Sequence, residues 1–152
     1  MSDEIDLIAD AVAAELNTQL ADWGYPSVVA QALDVPVFDA KELKGLHLSC
    51  VPMVTRHAEQ VARNRIRFEH EVHVDVRKRI GNSKPSNREL KELTSRIAEH
   101  FSKQANRNLP GYAAAALVGV ERSAVYQPET LIEKGIFATV VALTFRTLRA
   151  PQ

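Results

Sequence analysis

Apolar residues recur every three or four positions at the start of the chain: Ile5, Ile8, Val12, Leu16, Leu20 and Trp23. That period lays a single apolar stripe along a helix. Ser2 stands where a cap belongs, Asp3 and Glu4 fall in the first turn where the helix dipole favours acids, and Gly24 and Pro26 end the segment. "SVVAQAL" then predicts a short strand, "DVPVFDAKELKG" a connection, and "LHLSCVPMV" a second strand. Pro52 cannot donate to a ladder, so it marks an edge or the end of pairing.

The clearest pattern lies at 67–79, "RFEHEVHVDVRKR". Phe68, His70, Val72, Val74 and Val76 share one parity, while Arg67, Glu69, Glu71, His73, Asp75, Arg77 and Arg79 share the other. A period of two predicts a strand with one buried face, and leaves a second face made wholly of ionisable groups. The preceding stretch, "TRHAEQVARNRI" at 55–66, lacks that alternation and reads as a long basic loop carrying Arg56, Arg63 and Arg65, with Arg67 just beyond.

After the break "IGNSKPSNREL", Ser86 and Glu89 form a capping box ahead of Leu90, Leu93, Ile97 and Phe101, which predicts a second helix. Its other positions alternate in sign and suit a solvated face. Two strands follow, "AALVGVERSAVY" and "IFATVVALTFRTL", joined by "QPETLIEKG". In the last strand Phe137, Val141, Leu143 and Phe145 share one parity, and Ile136, Ala138, Val140 and Ala142 the other. Both faces are therefore expected to be covered, by the sheet's own core or by a neighbouring subunit. The order of elements implies an α+β fold: a mostly antiparallel sheet of about five strands with two main helices packed on it. We read residues 1–152 as a single domain, with an N-terminal helix in 1–26, a sheet-plus-helix core in 27–147, and the basic loop at 55–66.

Composition adds few constraints. With 45% hydrophobic and 25% charged residues, the chain is that of an ordinary soluble domain, and 152 residues suffice for a core without metals or disulfides. The lone Cys50 excludes an internal disulfide, fits a reducing compartment, and is expected to be a buried inert thiol. The acidic amphipathic start does not resemble a targeting peptide, and no apolar run approaches the roughly 18 residues of a membrane span. A cytosolic chain without a membrane partner is expected. Charge is uneven: residues 1–42 hold nine acids against one lysine, a balance of −8, so the rest carry +8.

Candidate chemistry is sparse. No Gly-rich phosphate cradle, nucleophile elbow or cysteine pair occurs. Glu71, His73 and Asp75 stand at i, i+2 and i+4, about 6.6–6.8 Å apart along a strand. They could offer ligands to a cation, but one strand cannot close on an ion without a second element, so no metal or cofactor is expected. His70 points to the other face, as a core or boundary histidine with a hydrogen-bond partner. Arg56, Arg63, Arg65 and Arg67, then Arg77, Lys78 and Arg79, could track phosphates, although Glu69, Glu71 and Asp75 lie among them and no aromatic platform is present. Pairing of these charges across strands or a subunit boundary is the more economical reading.

Taken in order, "PVFDAKELKGLHLSCVPM", "RNRIRFEHEVHVDVRKRI", "ELKELTSRIAEHF" and "LIEKGIFATVVALTFRT" resemble the tail terminator (tail completion) proteins of long-tailed bacteriophages and prophages. The resemblance spans roughly residues 27–147. It rests on strand pattern and spacing, since the family has no catalytic signature. It implies an α+β subunit of a ring, typically a hexamer, that caps the tail tube, ends its polymerisation and joins it to the head connector or neck protein, with genomic DNA passing through the lumen. No enzyme activity is implied, and the location would be the virion, assembled in the host cytoplasm. By position, Arg56, Arg63, Arg65 and Arg67 would face the lumen or tube. Glu69, Glu71, His73, Asp75 and Arg77 would make polar inter-subunit contacts, and Ile136, Val140 and Ala142 apolar ones. A neck or head-completion protein of the same phages is the alternative, and a sequence-nonspecific nucleic-acid-binding module a third.

Overall fold

The computed structural model describes residues 3–34, 44–62, 65–81, 83–122 and 135–149, with the backbone alone at 57–62 and 149. Helix α1 spans Glu4–Leu20 and helix α2 spans Lys84–Ser102. Among the described residues the strands are β1 (Gln31–Ala32), β2 (His47–Ala62), β3 (Arg65–Arg79), β4 (Asn108–Leu109), β5 (Tyr112–Arg122) and β6 (Ile136–Arg149). They form one sheet in the order β1-β2-β3-β6-β5-β4. The α+β class with two helices is as the sequence predicts. The sheet has six strands rather than five, and β1 runs parallel to β2 while all other pairs are antiparallel.

Both helices pack on one face. Val72, Val74 and Val76 of β3 and Phe137, Val141, Leu143 and Phe145 of β6 are buried against Ile8, Val12, Leu16 and Leu20 of α1 and Leu90, Leu93, Ile97 and Phe101 of α2. Each such side chain removed from water contributes about 1.5–3 kcal/mol, and this core is the main stabilising term.

The helix starts differ from the sequence reading. Asp3, not Ser2, is the N-cap of α1; its carbonyl accepts from Asp6 and Leu7 N–H, and its side chain makes no capping bond. The cap of α2 is Ser83, three residues before the expected one, and the helix begins at Lys84. Ser83 Oγ accepts from Ser86 N–H at 3.3 Å, and Pro85 sits in the first turn, where its missing N–H has no cost. Ser86 is thereby inside the helix.

Strand β1 is shorter than "SVVAQAL" suggests, for a local reason. The Asn17 side chain on α1 accepts from Ala30 N–H (2.8 Å) and donates to Ala30 C=O (3.1 Å). Those backbone groups are taken by the helix, so sheet pairing starts only at Gln31↔Ser49.

The largest correction concerns 55–66. Its described residues, 55–62 and 65–66, are strand rather than loop: β2 continues to Ala62 and pairs with β3 through Thr55↔His70, Arg56↔Glu69, His57↔Phe68 and on to Ala62↔Arg65. Only positions 63–64 separate the two strands. Register shifts at Pro52/Val54, His57/Glu59 and Gln60/Ala62 show how a polar, irregular sequence is accommodated: each bulge adds a residue and a local twist without ending the ladder. Among the described residues β2 pairs on its outer side only with the two residues of β1, so beyond them it is an edge, which suits Pro52. The short β4 was not foreseen, and residues 123–134, which hold most of "QPETLIEKG", lie outside the described residues.

Candidate functional site

The face of the sheet opposite the helices carries the ionisable parity of β3, and cross-strand register determines what meets what. Glu69 stands between Arg56 of β2 and Arg146 of β6; Glu71 between Val54 and Thr144; His73 between Val51 and Ala142; Asp75 between Ser49 and Val140; Arg77 between His47 and Ala138. Direct partners lie about 4.5–5.5 Å apart at Cβ, so these rows are units of interaction.

Charges in the rows pair within the chain. Arg77 donates to both Asp75 oxygens, Nε to Oδ1 at 2.8 Å and Nη2 to Oδ2 at 3.3 Å. Glu71 lies 3.6 Å from Arg56 Nη2 and 3.5 Å from His73 Nε2. The long pairs are worth about 0–1 kcal/mol each at this exposure. The carboxylate–imidazole–carboxylate row thus splits: Glu71 associates with His73 and Arg56, whereas Asp75 turns to Arg77. Among the described residues no three His, Cys, Asp or Glu side chains converge to hold a metal ion.

Burial on this face is deepest around Asp75 and far shallower at Arg56. Asp75 is 5% exposed and Ala138 2%, whereas the Arg56 side chain is 55% exposed. Burial pushes the Asp75 carboxyl above its ordinary range, and Arg77 and then His73 pull it part of the way back. Asp75 is therefore largely buried within the subunit, with Arg77 the more exposed member of the pair. Between the two extremes a hollow of about 360 Å³ is lined by Glu71, His73, Glu121, Val140 and Ala142. Val140, Ala142 and Ile136 are half-buried, and Val54 and Leu148 are exposed apolar side chains on the same face.

Of the expected basic group, Arg56 and Arg65 are exposed and Arg67 is half-buried. Arg63 lies outside the described residues. Arg146 was missed: the β3–β6 register sets it opposite Glu69, so it joins Arg56 and Arg67 on one face. Its parity, opposite to Phe145, was the available signal, but strand order is needed to place it. Glu121, which lines the hollow from β5, was missed for the same reason.

Two expected buried groups lie away from this face. His70 is 1% exposed; its Nδ1 meets Thr55 Oγ1 at 2.9 Å, and its Nε2 meets Thr147 Oγ1 and Glu4 Oε1, each at 3.0 Å. Cys50 is buried and free, and desolvation pushes its thiol up to about 12.

Among the described residues no helix is long and apolar enough to cross a membrane. No protein-family model matches the chain, and no curated protein matches it.

Proposed function

We propose that this chain is a structural subunit at the head–tail interface of a long-tailed phage: a ring, typically of six copies, that caps the tail tube, ends its polymerisation and joins it to the connector. The observation that carries this reading is the open sheet face. It combines apolar side chains (Val54, Val140, Ala142, Leu148) with charges already paired inside the subunit, Asp75 with Arg77 along β3 and Glu71 with Arg56 across to β2, the make-up of a subunit contact rather than of a reaction centre. The long β2–β3 hairpin, with Arg56, Arg65, Arg67 and Arg146 near its free end, supplies a basic surface for the tube or for DNA in the lumen. No catalysis, metal or cofactor is part of this reading, and the virion is the proposed location.

Light scattering on the purified chain, with negative-stain imaging beside tail tubes, tests it. Closed rings on one tube end are expected. A monomer that ignores tubes but shifts DNA in a salt-dependent way overturns it in favour of a nucleic-acid-binding module, for which the same arginines are the supporting observation. A monomer that ignores tubes and DNA but assembles on a connector assigns it to the neck instead.

A further inference from the structure

The helices frame a second hollow, away from the sheet face. The turn that follows α1 places Gly24 in the left-handed region (φ 93), and Tyr25 N–H closes it onto Leu20 C=O at 2.8 Å. This turn sets Trp23 and Tyr25 on either side of the glycine, above the flank of α2. The result is a hollow of about 200 Å³ lined by Trp23, Tyr25, Glu89, Glu92, Leu93 and Arg96. It is smaller than the roughly 300–1,000 Å³ of a small-molecule site, and suits one long side chain.

Its lining is pre-arranged. The Tyr25 hydroxyl donates to Glu89 Oε1 at 3.0 Å. His100 packs edge-on against the Trp23 ring, centroids 5.8 Å apart, and is itself held by Glu15 at 3.0 Å. Arg96 reaches Glu92 only at 3.4 Å, across exposed groups. Two carboxylates against one cation, beside two aromatic rings and an apolar floor, select a planar cation: carboxylates for its N–H groups, an aromatic surface for its face.

We propose that this hollow receives an arginine side chain from the β2–β3 hairpin of a second copy of the chain. The hairpin presents exposed Arg56, held only by a 3.6 Å pair to Glu71, and exposed Arg65; whichever of them enters the hollow is withdrawn from the surface for tube or DNA, which Arg67 and Arg146 retain. The hairpin cannot serve its own hollow. Glu4, at the start of α1, touches His70 beside the hairpin, whereas Trp23 lies past the far end of this 17-residue helix, about 25 Å away by helix rise. The contact is therefore between molecules and joins unlike surfaces, a heterologous geometry that gives a ring when its rotation closes and a filament when it does not. Naming a second copy as donor rests on the ring reading above; the cation-accepting chemistry of the hollow does not.

Trp23 is the only tryptophan, so its emission reports on this hollow and on the adjoining one lined by Gln19, Glu99, His100 and Lys103, and the Glu89/Glu92 variant tells the two apart. The full chain is titrated with a synthetic peptide of residues 55–68, and with the same peptide carrying Gln at every Arg. A saturable change in emission is expected for the first and none for the second, with binding about tenfold weaker to a Glu89→Gln/Glu92→Gln variant. Equal responses to both peptides, or to both proteins, overturn the proposal. In parallel, Glu89→Lys/Glu92→Lys and Arg56→Glu/Arg65→Glu should each abolish rings, and their combination restore them. Rings that survive Glu89→Lys/Glu92→Lys overturn the hollow's role and leave the ring reading standing. Peptide binding by a chain that never forms rings overturns the second copy as donor and leaves the arginine site.

Discussion

Glu4 and His70, 66 residues apart in sequence, meet at 3.0 Å between Oε1 and Nε2 and fasten the first turn of α1 to the middle of β3. The imidazole is closed in on every side by partners of compatible chemistry, with Thr55 from β2 and Thr147 from β6 completing its hydrogen bonds. His70→Leu keeps the volume but removes the ring nitrogens to which Thr55, Thr147 and Glu4 are bonded. It should cost about 2–4 kcal/mol in urea unfolding, while Glu4→Gln, which keeps an acceptor, should cost about 1 kcal/mol or less. Equal costs for the two variants would contradict this account.

Asp75 should give the protein a measurable pH signature. Its folded carboxyl is raised by burial, so between the unfolded and folded values the native state holds the proton more tightly. The sign follows: this group's contribution is most favourable below the unfolded value near 3.9 and declines as pH rises through the folded one. Asp75→Asn removes that decline. Urea midpoints of wild type and variant, compared from pH 4 to 7, should move in the variant's favour as pH rises; a constant difference would refute the assignment.

Cys50 should be inert while the chain is folded. With a thiol at about 12, thiolate is scarce at pH 8, and access is blocked as well. Reaction with a disulfide reagent should be slower than in urea by a factor on the order of 10³ or more. Fast labelling of the folded protein would show that β2 opens locally at Cys50.

The Glu69 row offers a test of the sheet face. Glu69→Lys places three cations side by side with Arg56 and Arg146. Destabilisation of about 0.5–1 kcal/mol at low salt, shrinking as salt is added, is the expected outcome in thermal melts. An effect that does not respond to salt would point to packing instead of charge.

Much of this architecture is legible from apolar spacing alone. The stripe from Ile8 to Leu20, the stripe from Leu90 to Phe101, and the alternation of Val72, Val74 and Val76 identify core positions, because burial imposes periods of 3.6 and 2. Residues 55–62 were misread because an edge strand paired on one side needs only backbone groups from its sequence. Polar side chains there conceal a ladder that β3 enforces. The shortness of β1 was equally hidden, since it depends on one amide, Asn17, reaching a backbone 13 residues away. At the candidate site, the ionisable face of β3 was visible, but its partners were not. Arg146, Glu121 and the contact between Arg56 and Glu71 follow from register and strand order, which no local pattern carries.

The hold of Asn17 on Ala30 has a consequence for the intact molecule. Because the helix holds the segment leading to β1, α1 also acts as a guard for the sheet: a chain trimmed of its first helix would lose that anchor and leave more of the long β2 strand as a bare template. Such a fragment should recruit strands from other molecules and aggregate. On that view the N-terminal helix keeps the Ser49–Cys50 end of β2 covered and confines any strand recruitment in the intact protein to the rest of that edge.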